Sequence, residues 1–132
     1  MLQAVGQAVE AAAPALVDIV RNQSLDLKGL ESVSSPLARA VDEAPDVFVK
    51  VTRLKTKDHV TYEHSVAVSA LMMRVGQVMD LADDTITALG LAGLVHDVGK
   101  LALEDAILKK PGVLGAREKA LMRRHPQIGF DL

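Results

Sequence analysis

The chain carries the stretch Leu89-Gly90-Leu91-Ala92-Gly93-Leu94-Val95-His96-Asp97-Val98-Gly99-Lys100, in which an apolar segment broken by glycines ends on a histidine and an aspartate. Imidazole and carboxylate groups both bind metal ions, and the two oxygens of a carboxylate can bridge two ions. Lys100 follows closely and could hold an anionic substrate. Glycine weakens a helix, so Gly90 and Gly93 are expected where a neighbouring helix approaches closely, and Gly99 is expected to end the helix in a left-handed conformation.

The composition favours a single helical domain. The chain has 132 residues, 49% of them hydrophobic and only 2% aromatic, and its apolar residues are mainly Leu, Val and Ala. This composition is typical of helices rather than sheets. Without cysteine, a metal site would have to use histidine and carboxylate ligands. No apolar run approaches the roughly 20 residues that span a bilayer, and the first residues lack a basic leader, so a cytoplasmic protein with no membrane partner is expected.

Charge is distributed unevenly along the chain. The net charge is −2, which argues against binding to a nucleic-acid polymer. Residues 100–132 nevertheless hold seven basic and four acidic side chains. Two interpretations stay open: a solvated helix face, or a local positive field for an anionic substrate.

Hydrophobic spacing and helix-boundary residues predict an all-α fold. In the first 45 residues we expect a helix over 2–22 with a kink or break at Pro14, then a connection over 23–33. A second helix is expected to start at Ser34-Ser35-Pro36 and to end before Pro45, and another to begin at Pro45-Asp46.

The remaining helices are predicted in the same way. Thr61 is expected to cap a long helix to about Met79, and Asp83 or Asp84 to cap the next one, which ends at His96. The long helix should carry one apolar stripe, formed by His64, Val68, Leu71, Val75 and Val78. A short helix over 104–108 and a turn over 109–112 follow. The helix over 117–124 should stop at His125 because Pro126 comes next.

The end of the sequence is expected to be incomplete. Ile128, Phe130 and Leu132 resemble the first turn of an amphipathic helix. A fragment of this kind would expose apolar surface around Leu121 and Phe130, so self-association as a homo-oligomer is expected.

Three histidines and one aspartate stand where helices could bring them together: His64, His96, Asp97 and His125. Four such groups could hold one divalent ion, or half the ligands of two. Each has a simpler interpretation alone: a hydrogen-bonded core residue for His64, a capping pair for His96 and Asp97, and a helix-end residue for His125. Lys100 alone would be a surface lysine, and His59 is interpreted as solvated. The joint occurrence of His64, His96, Asp97 and His125 favours the metal site.

The chain resembles the HD-GYP family, bacterial signalling phosphodiesterases within the HD superfamily of helical metal-dependent phosphohydrolases. The resemblance covers residues 46–132, and residues 1–45 resemble the helical region that precedes the catalytic domain in some members. The segments that carry it are Arg53-Leu54-Lys55, His64-Ser65-Val66, the stretch from Gly90 to Lys100, Ile107 to Gly112, and Met122-Arg123-Arg124-His125-Pro126-Gln127-Ile128-Gly129. The implied organisation is an N-terminal helical region, 1–45, and the N-terminal part of an HD-domain helical bundle, 46–132.

The resemblance implies hydrolysis of cyclic di-GMP to pGpG or GMP. By this resemblance His64, His96 and Asp97 match the ligands of a first metal, Asp97 the bridging carboxylate and His125 a ligand of a second metal. Lys100 matches a lysine that holds a substrate phosphate oxygen. The implied cofactors are two divalent ions, iron or manganese, and the implied partner is a cyclic dinucleotide.

The chain departs from the family in two respects. The later ligands of the family, a His-His pair and a further Asp, are absent, as is the Gly-Tyr-Pro loop. Val60 stands where three-metal members carry a Glu, so two metals are expected. With half a site, residues 1–132 alone are expected to be inactive or nearly so. The alternatives are another HD-superfamily nucleotide phosphohydrolase and a non-catalytic helical sensing or interaction module.

Overall fold

The computed structural model describes residues 2–43 and 60–132, and every regular element within them is a helix. The expected all-α class is therefore confirmed. The elements in chain order are α1 (Leu2–Asn22), α2 (Leu27–Glu43), α3 (Val60–Val78), α4 (Asp83–Val95), a 3-10 helix (Val98–Ala102), α5 (Asp105–Leu108), α6 (Ala116–Met122) and α7 (His125–Asp131). The helix predicted from Pro45 and the solvated position predicted for His59 lie outside the described residues.

One hydrophobic core joins the N-terminal helices to the rest of the described chain. Helices α1 and α2 pack against each other and both contact α3, and α2 also contacts α4. The fully or nearly fully buried core side chains include Leu16 and Ile19 from α1, Leu30, Val33 and Leu37 from α2, Val66 and Ala70 from α3, and Leu94 from α4. The shared core shows that α1 and α2 pack on the remainder of the described chain. The domain division at residues 45 and 46 stays a prediction.

Both N-terminal helices differ from their predicted boundaries. Helix α1 continues through Pro14, so the predicted break is wrong. Helix α2 begins at Leu27, not at Ser34, and Pro36 lies inside it. An interior proline costs a helix about 3 kcal/mol. Burial of Leu30 and of Val33, each almost inaccessible to solvent, contributes about 1.5–3 kcal/mol per side chain and offsets that cost.

Helix α3 buries a different face from the predicted one. Val66, Ala70 and Met73 are completely buried, whereas Leu71, Val75 and Val78 are 41%, 47% and 70% exposed. The predicted inward stripe is therefore wrong. Both faces of α3 are apolar, so periodicity could not choose between them.

Gly90 and Gly93 of α4 allow the Ser69 and Met73 face of α3 to pack inward. A Cβ atom on Gly93 would lie 2.5 Å from the Ser69 Cα, and one on Gly90 would overlap the Met73 side chain. The Ser69 hydroxyl donates a hydrogen bond of 2.7 Å to the Gly90 carbonyl. The predicted close approach at both glycines is thus confirmed.

Helix α4 does not start with the predicted cap. Its N-cap residue is Ala82, which makes no side-chain capping hydrogen bond, and Asp83 and Asp84 lie in the first turn. Thr61 likewise lies within α3, which begins at Val60. Carboxylates in the first turn still interact favourably with the helix dipole, which accounts for the acidic residues there.

The C-terminal segment corrects two further expectations. Among the described glycines, only Gly112 has a positive φ, of 93°, so the left-handed conformation predicted for Gly99 is wrong and Gly99 lies in the 3-10 helix. His125 begins α7 and does not end the preceding helix. Pro126 occupies the first turn of α7, where a missing N–H breaks no helical hydrogen bond. In the described part of the chain, no helix has the length and apolar character needed to cross a membrane.

The shared core predicts that a substitution in α2 destabilises the whole described structure. Leu37 is fully buried, so Leu37→Ala should lower the free energy of unfolding by about 2–5 kcal/mol. The matched variant Leu27→Ala, at an exposed site, should change it by less than about 0.5 kcal/mol. Urea unfolding followed by far-UV circular dichroism measures both. Two separate transitions, or equal effects of the two variants, would contradict a shared core.

Candidate metal centre

The five side chains predicted for the site meet at the carboxylate of Asp97. Its Oδ2 atom lies 3.6 Å from His64 Nε2, 3.2 Å from His96 Nε2 and 2.6 Å from Lys100 Nζ. Its Oδ1 atom lies 3.1 Å from His125 Nε2. Asp97 itself is only 5% exposed. The structure therefore places all the predicted site residues together, with two histidines on one oxygen and one on the other.

Four helical elements supply these side chains. Asp97 lies between α4 and the 3-10 helix, directly after His96. The 3-10 helix brings Lys100 back over Asp97, because the Lys100 N–H donates to the Asp97 carbonyl at 2.9 Å. His64 comes from the first turns of α3, which packs against α4. His125 comes from the start of α7, which packs on the 3-10 helix.

Backbone carbonyls fix the orientation of two of the imidazoles. His96 Nδ1 lies 2.8 Å from the Gly93 carbonyl oxygen, and His125 Nδ1 lies 2.7 Å from the Met122 carbonyl oxygen. A carbonyl only accepts hydrogen bonds, so each Nδ1 carries the proton. In the neutral ring, Nε2 then presents a lone pair to Asp97.

This arrangement requires positive charge between the rings and the carboxylate. An imidazole lone pair and a carboxylate oxygen 3.1–3.2 Å apart repel each other unless a proton or a cation lies near both. Histidines that bind metals usually donate their other ring N–H to a carbonyl or carboxylate, as His96 and His125 do here. The ligand atoms of His64, His96 and Asp97 all lie within 4.8 Å of one another. The donor set therefore fits a divalent cation.

The surroundings of Asp97 keep its carboxyl group ionised. Burial alone raises the pKa of the Asp97 carboxyl, but the Lys100 hydrogen bond and the favourable electrostatic interactions with His96, Lys100 and His125 together hold that pKa below its ordinary value of 3.8. A carboxylate that is negative across the neutral range offers both oxygens to cations.

The simpler interpretations of His64 and of the His96–Asp97 pair do not fit this geometry. The His64 side chain is 53% exposed, so it is not a core histidine. Asp97 precedes the 3-10 helix without making a side-chain capping hydrogen bond, so His96 and Asp97 are not a capping pair. His125 begins α7, but its Nδ1 lies 2.7 Å from the carbonyl oxygen of Met122, the last residue of α6, so its ring does contact the negative end of that helix dipole. The exposure of His64 also leaves the centre open to solvent on that side.

The carbonyl groups that orient the rings were not predicted from the sequence. Both bonds join a histidine to the carbonyl three residues earlier, Gly93 to His96 and Met122 to His125. Any residue has a carbonyl three positions before it, so nothing in the sequence marked these two.

Two lysines of the basic C-terminal segment form surface ion pairs. Lys109 Nζ lies 2.7 Å from the Asp105 carboxylate and Lys110 Nζ 2.6 Å from the Glu118 carboxylate. Glu118 also accepts a hydrogen bond from the Gly115 N–H at 2.6 Å, at the start of α6. These contacts favour the solvated-face interpretation for Lys109 and Lys110, whereas Lys100 lies at the centre itself.

Comparison with known proteins identifies the family. The model of the HD domain family matches residues 61–132, which include His64, His96, Asp97, Lys100 and His125. The chain belongs to the HD domain family. Its expected likeness to HD-GYP phosphodiesterases is supported by the curated relatives that it matches. The HD domain and the cluster of His64, His96 and Asp97 together point to divalent metal binding.

The relatives are phosphodiesterases of cyclic dinucleotides. The chain is 42% identical over 112 residues, 85% of its length, to a cyclic di-GMP phosphodiesterase of Pseudomonas aeruginosa, of which it covers 27%. It is 35% identical over 76 residues to a cyclic di-GMP phosphodiesterase of Thermotoga maritima, covering 58% of this chain and 21% of that protein. It is 31% identical over 86 residues to 3'3'-cGAMP-specific phosphodiesterase 2 of Vibrio cholerae, covering 65% of this chain and 16% of that protein. The chain thus spans about a quarter or less of these relatives, and no solved structure matches it significantly.

The lowered pKa of Asp97 predicts a specific acid dependence of stability. Because the pKa is lower in the folded state, the stabilisation is complete above the ordinary carboxyl value and disappears as the pH falls through the folded value. With a chelator present, Asp97→Asn should lower the free energy of unfolding at neutral pH and flatten its decline below about pH 4. Urea unfolding across acid and neutral pH measures this.

The matched control is Asp105→Asn, since the Asp105 side chain is exposed and paired with Lys109 at the surface. It should leave the acid dependence close to that of the unsubstituted protein. An acid decline that is as steep in Asp97→Asn as in the unsubstituted protein would show that Asp97 does not produce it.

Proposed function

We propose that this domain supplies metal and substrate ligands to a phosphodiesterase that hydrolyses cyclic di-GMP, to pGpG or GMP, in bacterial second-messenger signalling. The observation that carries the proposal is the division of the Asp97 oxygens, with His64 and His96 on Oδ2 and His125 on Oδ1. Membership of the HD domain family and the activity in the names of its relatives support the substrate.

Each residue of the centre has a proposed role. His64, His96 and one oxygen of Asp97 would hold the first of two divalent ions, iron or manganese, and the other oxygen and His125 would contribute to the second. A bound divalent ion supplies Lewis acidity to the phosphodiester and lowers the pKa of water. The Gly93 and Met122 carbonyls orient the His96 and His125 rings, so that the ligands need little rearrangement.

Lys100 is proposed to contact the substrate. Its ammonium lies 2.6 Å from Asp97, and its side chain is partly exposed. From there it can reach a phosphate oxygen of a substrate and offset the negative charge that grows on it during hydrolysis. It acts as a compact point charge, which suits a phosphate group.

A second cyclic dinucleotide is the alternative substrate. Two relatives from Vibrio cholerae, 31% and 32% identical, are 3'3'-cGAMP-specific phosphodiesterases. Both substrates offer a cyclic phosphodiester to the same centre, so a direct comparison is needed. The non-catalytic module remains the alternative from another functional class.

The proposal predicts that Asp97 is required for both metal binding and hydrolysis. In the protein that contains this domain, Asp97→Ala should abolish metal binding and turnover, whereas Asp105→Ala should preserve both. Metal content by mass spectrometry and product formation from cyclic di-GMP and 3'3'-cGAMP, each supplied separately, are the measurements. A metal-loaded protein that cleaves neither dinucleotide would contradict the proposed activity, and preference for 3'3'-cGAMP would favour the alternative substrate.

Lys100 should affect hydrolysis without affecting metal content. Lys100→Ala should reduce turnover by about 100-fold, a typical effect of removing one group that stabilises developing charge. Lys109→Ala is the matched control, because the Lys109 ammonium lies at the surface with Asp105. Its turnover should be close to that of the unsubstituted protein. Loss of the bound metal in Lys100→Ala would instead make Lys100 a support of the metal ligands.

A further inference from the structure

We propose that Gly99 and Gly129 are positioning residues that set the distance between His125 and Asp97. They do so by letting the backbones of the 3-10 helix and α7 touch where a side chain would hold them apart. The chemical consequence rests on the proposed function, because the displaced ligand would be that of the second metal. The geometric consequence does not depend on any metal.

The space around Gly99 is closed by backbone atoms. A Cβ atom on Gly99 would overlap the carbonyl oxygen of His125 and lie 2.9 Å from its carbonyl carbon and 2.6 Å from the Gly129 nitrogen. Backbone atoms cannot rotate away as a flexible side chain can. Gly99 has no positive φ, so it is needed for space and not for an unusual backbone conformation.

Gly129 forms the other side of the same contact. It follows His125 by four residues, one turn along α7, and thus lies on the same side of that helix. A Cβ atom on Gly129 would lie 3.3 Å from the Gly99 nitrogen and 3.4 Å from the Val98 Cγ1. These distances are tight but tolerable, so Gly129→Ala should displace α7 much less than Gly99→Ala.

The backbone contact between Gly99 and α7 lies next to His125 and away from His64 and His96. Gly99 follows Asp97 by two residues, and the carbonyl it touches belongs to His125 itself. A displacement of α7 by about 1 Å would carry His125 Nε2 out of reach of Asp97 Oδ1, now 3.1 Å away. His64 and His96 are carried by α3 and α4, so their distances to Oδ2 should persist. The two glycines therefore act on one half of the centre.

Manganese titration of the protein, with free ion measured by electron paramagnetic resonance, tests this selectivity. Gly99→Ala should weaken the manganese binding that His125→Ala also weakens, by about 10- to 100-fold, as is typical when supports of a metal ligand change. Gly129→Ala should weaken it by only a few-fold. Gly6→Ala is the matched control, because a Cβ atom there meets nothing within 4 Å.

A double variant separates positioning from general damage. If Gly99 acts through His125, adding Gly99→Ala to His125→Ala should cause no further loss of manganese binding. The proposal would be overturned if Gly99→Ala weakened manganese binding equally in the presence and absence of His125. Unchanged manganese binding in a folded Gly99→Ala protein would also overturn it. Circular dichroism reports folding, and if Gly99→Ala does not fold, the milder Gly129→Ala carries the same double-variant comparison.

Imidazole nitrogen–proton correlation spectra of the metal-free protein give a readout that needs no metal. Gly99→Ala, or Gly129→Ala in its place, should shift the ring signals of His125 and leave those of His64 in position. Uniform shifts of both rings, or none, would contradict the proposal. Failure of the unsubstituted protein to bind manganese would count against the proposed function alone, since these spectra still test the positioning role.

Discussion

The structure depends on placing a buried carboxylate among positively charged or metal-binding groups. Taking the Asp97 carboxylate out of water costs free energy unless positive charge compensates it. Lys100 supplies a full charge at 2.6 Å, and three imidazole nitrogens lie within 3.6 Å of one or other oxygen. Because Nδ1 of His96 and of His125 is engaged by a carbonyl, their remaining nitrogens can compensate Asp97 only with a proton or a cation. The donor set of the centre thus suits a cation.

Close backbone packing brings the ligands from separate helices to this carboxylate. Gly93 lets α3 approach α4, which places His64 beside His96, and the rings meet edge to face with centroids 5.3 Å apart. Gly99 lets α7 approach the 3-10 helix, which places His125 on the opposite oxygen. Glycine is used at both points because larger residues would separate the backbones. The first of these contacts also fixes which face of α3 enters the core.

The residues of the site and the helical class could be predicted from the sequence. The features that depend on packing between helices could not. The order of His96, Asp97 and Lys100, together with His64 and His125, indicated a metal centre, and the composition indicated helices. The start of α2 was missed because Ser34 and Pro36 give a strong local start signal, whereas burial of Leu30 and Val33 against α1 and α3 is not visible locally. The buried face of α3 was missed because both faces are apolar. His125 was placed at the wrong end of a helix because a proline can stop one helix or begin the next.

Anomalous scattering from crystals of the manganese-loaded protein would locate the metal relative to Asp97. We expect a strong anomalous peak within coordination distance of His64 Nε2, His96 Nε2 and Asp97 Oδ2, with any second peak beside His125 Nε2 and Asp97 Oδ1. Manganese bound elsewhere, with no anomalous density between His64, His96 and Asp97, would contradict it.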